Sequence, residues 1–309
     1  MDAYLQEFFD YVISQERSPI TAAGYKGDIT LFARWFQDTY GYKFRPGELR
    51  NEIIRAYKQN LLQQNAKPRT INRRMASLAI FGLWAQKTGY LQNGANPADG
   101  IKPAKQVEVA PRWLEPRERA KLLRVIDDEV SRAMTRFPRL RSLVVRDAAI
   151  VKLILNTGLR VSELADLRLT DINLEENRGF LVVRAGKGSK RRELPLNAEA
   201  RQAVLAYLQL RPNLPVDSLF IGQNGEGVEK RTAQRSVSRF ASLAGLNNVS
   251  CHTLRHTFAK TLIDRGVSLE KVAKLLGHSS LNTTQIYVTP GRKDLERAVT
   301  TLDQVDAPT

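Results

Sequence analysis

Apolar residues in the first ninety positions recur at the spacing of amphipathic helices. Leu5, Phe8 and Val12 are three and four positions apart, which puts them on one face of a helix. The same period returns in three further stretches, at 25–36, 53–62 and 71–85. The pattern therefore predicts a bundle of four helices, and we place this helical domain at residues 1–95.

A stretch with few apolar residues follows the bundle. Residues 96–111 contain Pro97, Pro103 and Pro111, which keep a chain extended and out of regular structure. We therefore interpret 96–111 as a linker and 112–309 as a second domain.

The second domain combines helical stripes with short β-prone runs. Helices are predicted at 116–130, 141–157, 162–168, 197–210, 231–244, 253–265, 268–276 and 293–305. The runs 180–183 and 191–196 flank a glycine-containing turn, which predicts a hairpin, and 219–221 is predicted as a third strand. The expected fold class is mainly α, with a four-helix bundle followed by a mixed α+β domain that holds a small antiparallel sheet.

The chain is strongly basic, with a net charge of +16 and a pI of about 10.1. Residues 1–105 contain 15 basic and 9 acidic residues (net +6), and the remainder contains 33 and 23 (net +10). Because both parts share the excess, we expect both to contact one long polyanion, with nucleic acid the leading candidate. A basic surface that only aids solubility is the alternative.

Two absences narrow the class of protein. No apolar run is long enough to cross a bilayer, and Asp2 and Glu7 stand where a signal peptide would be basic, so a cytoplasmic protein is expected. The single cysteine, Cys251, excludes an internal disulfide and a cysteine-rich zinc site.

Arg160 lies in a predicted turn between two helices. Gly158 is suited to end one helix, and Ser162 to start the next. A guanidinium in such a turn can bind a phosphate with two parallel hydrogen bonds, and Glu163, one helical turn on, can orient it. The alternative is a surface Arg–Glu pair.

The predicted hairpin turn contains Lys187 between two glycines. A lysine at this tip can reach a DNA groove or donate a proton, and a solvated basic turn is the alternative. The segment lacks the full pattern of a Walker-type phosphate loop.

His252 and Arg255 are three residues apart, so on a helix they share a face and can donate hydrogen bonds to one phosphoryl group. His256 is one position further round, and we expect it to face inward in a structural role. For Cys251 we expect a packing role.

Tyr287 follows His278 by nine residues, on a short predicted helix after Gly277. A half-buried tyrosine with a wet hydroxyl is the alternative for this residue taken by itself. Taken together, and with His256 set aside as structural, the four segments supply two arginines, a lysine, two histidines and a tyrosine. No cysteine pair or HExxH motif accompanies the histidines, so neither a metal nor another cofactor is expected. The residue types suit metal-free attack on a phosphodiester.

Four short motifs, in this order and spacing, resemble those of the tyrosine recombinase (phage integrase) family, in the style of its Xer-like and transposon-borne members. The matching segments are 157–164, 186–188, 252–256 and 276–280, followed by Tyr287. The helical first domain is similar to the family's core-binding, SAM-like domain. The chain departs from the family's pattern in a longer segment at 127–146 and in Cys251, where a proline is common.

The resemblance implies a site-specific recombinase that resolves or integrates DNA through a 3′-phosphotyrosine and a Holliday junction. Tyr287 is then the nucleophile, His252 the general base, and Lys187 the general acid. The resemblance makes Arg160, Arg255 and His278 the donors to the phosphate, with Glu163 as a support.

The resemblance also implies the partners: double-stranded DNA with paired half-sites, held by a homotetramer or by a hetero-tetramer with a paralogue, in the cytoplasm at the nucleoid. Candidate DNA-binding residues are Arg69, Arg73, Arg74, Lys230, Arg231, Arg235 and Arg239. Two rival functions remain, a type IB topoisomerase-like nicking enzyme and a DNA-binding regulator without chemistry.

Overall fold

The computed structural model describes residues 2–92, 94–105, 111–136, 140–175, 177–184, 191–278, 282–285 and 287. The chain divides into two units, Met1–Val109 and Ala110–Thr309. The predicted fold class is confirmed, because helices dominate both units and the second contains a small antiparallel sheet.

Four α-helices form the first unit, as the apolar stripes predict. They are α1 (Ala3–Ser14), α2 (Pro19–Tyr40), α3 (Asn51–Gln63) and α4 (Pro68–Lys87). Leu5, Phe8 and Val12 are buried on α1, and the ring of Phe8 meets Phe81 of α4 edge to face at 5.1 Å. Such aromatic pairs add stabilisation beyond the area that they bury.

Part of the predicted linker is attached to the first unit. Asn72 of α4 bonds Ala104 twice, donating to its carbonyl at 3.0 Å and accepting from its amide at 2.7 Å. The ammonium of Lys58 donates to the carbonyl of Lys102 at 2.7 Å. Residues 96–105 therefore belong physically to the first unit, and 106–110 lie outside the described residues.

The second unit is built around one central helix. Its helices are α5 (Pro116–Arg136), α6 (Arg141–Thr157), α7 (Val161–Ala165), α8 (Ala198–Leu208), α9 (Lys230–Leu243), α10 (Cys251–Asp264), α11 (Leu269–Leu276) and α12 (Asn282–Gln285). Helix α6 packs against α5, α8, α9 and α10, and most of its own residues are buried, among them Ile150 and Ile154. Because four helices pack against α6, its C-terminal end holds the residues that follow it in a fixed position.

Three antiparallel strands form the sheet, in the order β1 (Ile172–Leu174), β2 (Gly179–Val183) and β3 (Arg192–Pro195). The hairpin β2–β3 confirms the prediction, with Leu181 opposite Leu194. The predicted third strand was wrong. Of residues 219–221, only Ile221 forms a β-bridge, an isolated one with Gly227. The third strand of the sheet is β1, which pairs Ile172 with Leu181.

One helix prediction differs from the structure, and another is not tested by it. Helix α7 ends at Ala165 rather than at 168, because the chain turns through a 3₁₀ segment, Leu169–Asp171, into β1. The helix predicted at 293–305 lies outside the described residues. Among the residues that are described, no helix has the length and apolar character needed to span a membrane.

Candidate active site

Arg160 caps the start of α7, directly after the end of α6. Gly158 ends α6 with a φ of +66°, and a Cβ there would lie 2.5 Å from the ring of Phe258, so only glycine fits the turn. The guanidinium of Arg160 donates to Glu163 at 2.9 Å and to the carbonyl of Gly277 at 3.2 Å. Its side chain remains 35% exposed, so it is anchored and still accessible to a ligand.

Glu163 also binds a second arginine, which the sequence analysis did not single out. Arg192, the first residue of β3, forms a two-armed pair with the Glu163 carboxylate at 3.0 and 2.8 Å. The two side chains are only 8% and 11% exposed. Burial raises the pKa of Glu163, but hydrogen bonds from Arg192 and Arg160 outweigh it and bring the pKa below its usual value. Glu163 is therefore a charged, buried junction between the two arginines.

Arg255 projects from α10 into the same region. Ser250 caps this helix by accepting from the amide of Thr253 at 3.2 Å. The guanidinium of Arg255 is 4% exposed and donates to the carbonyls of Gly158 at 2.5 Å and Leu276 at 2.8 Å. Burial, and then the positive charge of Arg160, lower its pKa to about 10, so it stays charged at neutral pH.

His278 follows the glycine that ends α11. The guanidinium of Arg255 donates to its Nε2 at 3.0 Å, so Nδ1 carries the proton and donates to the hydroxyl of Thr284 at 2.8 Å. Burial first, and Arg255 second, lower the pKa of His278 to about 4. The ring is neutral, and Thr284, which is fully buried, fixes its orientation.

Tyr287 is 2% exposed and packs against Ala259, Val272 and Leu276. Its hydroxyl lies 2.5 Å from Nδ1 of His256. Burial raises the pKa of Tyr287, and the charge of Arg255 opposes this shift. Tyr287, the candidate nucleophile, is thus held against α10 and α11, close enough to Arg255 for that charge to act on its pKa.

The two histidines of α10 differ from each other in exposure and in contacts. His256 is only partly buried, and it contacts the Tyr287 hydroxyl rather than the core alone. His252 is exposed, with its ring centroid 6.4 Å from that of His256. Cys251 is buried, and burial raises the pKa of its thiol to about 11, in keeping with a packing role. Lys187 lies outside the described residues.

The candidate DNA-binding arginines of the first unit differ in their surroundings. Arg69 is exposed, and Arg74 donates to the hydroxyl of Tyr57 at 3.0 Å. Arg73 is half-exposed and pairs with the buried carboxylate of Asp28.

In the second unit, α9 carries the remaining candidates. Lys230, Arg231 and Arg235 are exposed. Arg239 forms ion pairs with Glu129 at 3.3 Å and Asp147 at 3.6 Å. The charges of Lys230, Arg231 and Arg235 are therefore more available to bind an anion from solution than the charge of Arg239, which is already paired.

Comparisons with known proteins agree with the fold. The model of the phage integrase family matches residues 124–293, and that of the phage integrase N-terminal SAM-like domain matches 5–89. The tyrosine recombinase XerC of Corynebacterium glutamicum is 32% identical over 94% of this chain and 88% of its own length. XerC of Neisseria gonorrhoeae is 34% identical over 92% of this chain and 90% of its own length.

Solved structures give the same picture. XerH site-specific recombinase bound to palindromic difH substrate has a TM-score of 0.65 at 26% identity, over 82% of this chain and 71% of that one. The Tn1549 transposon integrase in complex with transposon right end DNA has a TM-score of 0.72 over 97% of this chain and 99% of that one; at 18% identity it supports the fold alone.

Fold and site together define an enzyme that breaks and rejoins DNA strands. The chain belongs to the phage integrase family, and within that family it is a tyrosine-type site-specific DNA recombinase.

Proposed function

We propose that Tyr287 attacks the scissile phosphate, so that its hydroxyl oxygen bonds to phosphorus and the 5′ oxygen leaves. The observation that supports this most is convergence. Hydrogen bonds bring together residues 158–163, 192, 255–256, 275–278 and 284, and one of them joins His256 to the hydroxyl of the buried Tyr287. Local structure does not require these contacts, whereas in-line attack on a phosphodiester does require such a set of groups.

Arg160, Arg255 and His278 bind the non-bridging oxygens in this proposal. The positive charge already crowded there favours an anion, as the lowered pKa of Arg255 indicates. One preorganised donor of this kind contributes roughly 3–4 kcal/mol to transition-state stabilisation. In the free enzyme, Arg255 donates a hydrogen bond to Nε2 of His278. The bound phosphate replaces this contact, and its negative charge raises the pKa of His278 so that the protonated ring donates to the phosphate.

His252 and Lys187 complete the catalytic set, and Glu163 supports it. The family resemblance makes His252 the general base, and the helix face that it shares with Arg255 also allows it to donate to the phosphate. Lys187 protonates the leaving 5′ oxygen. Because the phosphotyrosine conserves the energy of the broken bond, religation to another 5′-hydroxyl needs neither ATP nor a cofactor.

The proposed substrate is double-stranded DNA with paired half-sites, held by a homotetramer or by a hetero-tetramer with a paralogue, at the nucleoid in the cytoplasm. XerH, a relative, was solved on a palindromic substrate. In the second unit we place the DNA on the exposed face of α9 with Lys230, Arg231 and Arg235, and in the first unit on Arg69, Arg73 and Arg74. Arg239 belongs to this set through its remaining exposed surface.

A nicked suicide duplex tests the chemistry, after the binding site has been selected from randomised palindromic duplexes. Wild-type chain should become covalently attached to DNA, Tyr287→Phe should not, and Tyr40→Phe, which removes a partly exposed hydroxyl from α2, should behave as wild type. Covalent DNA formed by Tyr287→Phe would refute the assignment, and a wild-type chain that binds without attachment would favour the regulator. Joining to a second duplex distinguishes a recombinase from a topoisomerase-like enzyme.

A further inference from the structure

We propose that His256 is a catalytic residue of this recombinase: its Nδ1 takes the proton from the Tyr287 hydroxyl as that oxygen attacks phosphorus. The inference rests on the proposed function, since it takes Tyr287 as the nucleophile. It assigns the general base to a residue that composition and motif spacing gave only a structural role.

The Tyr287 hydroxyl and the His256 ring are in direct contact. The Tyr287 oxygen and His256 Nδ1 are 2.5 Å apart, at the short end of hydrogen-bond distances. A general base must lie within direct hydrogen-bond reach of the proton that it removes. Among the described residues, His256 alone hydrogen-bonds the Tyr287 hydroxyl.

The hydrogen bond between these two groups runs from Tyr287 to His256. Burial, and then the charges of His252 and Arg255, lower the pKa of His256 to about 4, so the ring is neutral near pH 7. Tyr287, whose pKa is raised, carries its proton. The phenol is the stronger acid of the two neutral groups, so it donates to an unprotonated Nδ1, and the ring proton resides on Nε2. The proton therefore already points at its acceptor.

Tyr287 needs a base to become an efficient nucleophile at neutral pH. A tyrosine with an ordinary pKa of about 10 is phenolate in only about one molecule in a thousand at pH 7. Burial of Tyr287 lowers that fraction further, and the neighbouring Arg255 recovers only part of it. An attack that began from the phenolate would lose this factor, whereas transfer to His256 during attack avoids it.

His252 is less suited to the same task. It is exposed and lies one helical turn from His256 on the same face of α10, and no described contact joins it to Tyr287. This leaves His252 free to donate to the phosphate. The charged or titratable groups around His256 are His252 and Arg255 on its own helix, His278 after α11 and Tyr287 after α12.

The proton balance closes in both directions. In cleavage, the Tyr287 oxygen–phosphorus bond forms, its proton moves to His256, the bond from phosphorus to the 5′ oxygen breaks, and Lys187 protonates that oxygen. In religation, the 5′-hydroxyl gives its proton to Lys187, and the His256 imidazolium returns its proton to the departing tyrosine. The negative charge of the bound phosphate raises the pKa of His256 and so assists the transfer.

The test is the single-turnover rate of covalent attachment to the nicked suicide duplex. His256→Asn keeps a hydrogen-bond acceptor near the position of Nδ1 but cannot take a proton. We expect its rate to fall about 100-fold or more at pH 7, with unchanged DNA affinity. The deficit should shrink about tenfold for each pH unit between 7 and 9, because the phenolate fraction rises by that factor. His252→Asn should show a deficit that does not change with pH.

A duplex with sulfur in place of the bridging 5′ oxygen separates the two proton transfers. The sulfur leaves without protonation, so this substrate should restore Lys187→Ala and leave His256→Asn slow. Melting temperature and DNA affinity verify that His256→Asn is folded. If it is not folded, His256→Gln replaces it in both experiments.

Three results would overturn the inference: a folded His256 variant within threefold of wild type, a deficit that is constant with pH, or the pH-dependent deficit in His252→Asn instead. Any of these, with Tyr287→Phe inactive, rejects the role of His256 alone. Covalent attachment by Tyr287→Phe rejects the proposed function itself.

Discussion

Replacing Arg192 with methionine removes one partner of a buried ion pair. Arg192 and Glu163 are 8% and 11% exposed, so solvent screens the pair little, and three hydrogen bonds depend on this guanidinium. Breaking a buried pair from one side costs about 3–5 kcal/mol, because a charge is left without compensation. Glu163 keeps its contacts with Arg160, so we expect the lower end of this range, about 3 kcal/mol.

The assay is calorimetric melting of the full chain. For a unit of this size, 1 kcal/mol moves the melting temperature by roughly 2–4 °C, so the second unit should melt about 6–12 °C lower. Arg192→Lys keeps the charge but loses the two-armed geometry, and it should cost about 1–2 kcal/mol. Arg191→Met is the matched control, because Arg191 is exposed, and it should stay within about 0.5 kcal/mol of wild type.

A double variant isolates the electrostatic part. With Glu163→Gln added to Arg192→Met, the uncompensated charge disappears, so the double variant should be more stable than Arg192→Met itself. Equal melting of Arg192→Met and Arg191→Met would refute the reasoning, since it would mean that the pair contributes nothing to the fold.

Two further predictions concern the same region. His256 and His278 have a pKa of about 4 when folded and about 6.5 when unfolded, so the unfolded chain binds more protons between these values. Stability should therefore be complete above about pH 6.5 and fall as the pH drops towards 4, by at most about 3 kcal/mol per histidine; urea titrations that give one stability at pH 7 and pH 4.5 would contradict this. Gly277→Ala should cost more than Gly266→Ala in the same titration at pH 7, because both positions have positive φ, but a Cβ at 277 meets the Arg192 guanidinium at 2.7 Å while that at 266 meets open space. Equal losses for the two alanines would remove the contact as a cause.

The sequence was sufficient for most of the fold, because local periodicity determines which helix face is buried. The stripe of Leu5, Phe8 and Val12 is buried as its spacing predicts, and the hairpin follows from two β-prone runs. The third strand could not be found in this way. Residues 219–221 form a short apolar run, as a buried strand does, and they are almost fully buried in the structure. Membership of a sheet depends on a pairing partner, which the local pattern does not reveal.

The candidate site, too, was predictable where its contacts are local in sequence and not where they join distant residues. Short-range spacing predicts that Glu163 can orient Arg160, and the structure has this hydrogen bond. Arg192 and His256 were not recognised, because their partners lie 29 and 31 residues away along the chain. A helical wheel shows that His256 lies one turn after His252 on α10 and faces nearly the same direction. It does not show that Tyr287 covers that direction.

The arginines of the site also stabilise the two helix ends on which the site is built. Arg160, Arg192 and Arg255 all donate to carbonyls where α6 and α11 terminate. The acceptors are Gly158, Leu275, Leu276 and Gly277. Carbonyls at a helix C-terminus lack partners within the helix and carry a partial negative charge, so they offset the cost of burying guanidinium groups. The same contacts hold three positive charges close together against one carboxylate, which leaves a positive excess that favours an anion, in the proposed function the scissile phosphate. Binding strength and folding stability are therefore coupled at these arginines, and a substitution there must be judged by both measurements before its loss of activity is assigned to chemistry.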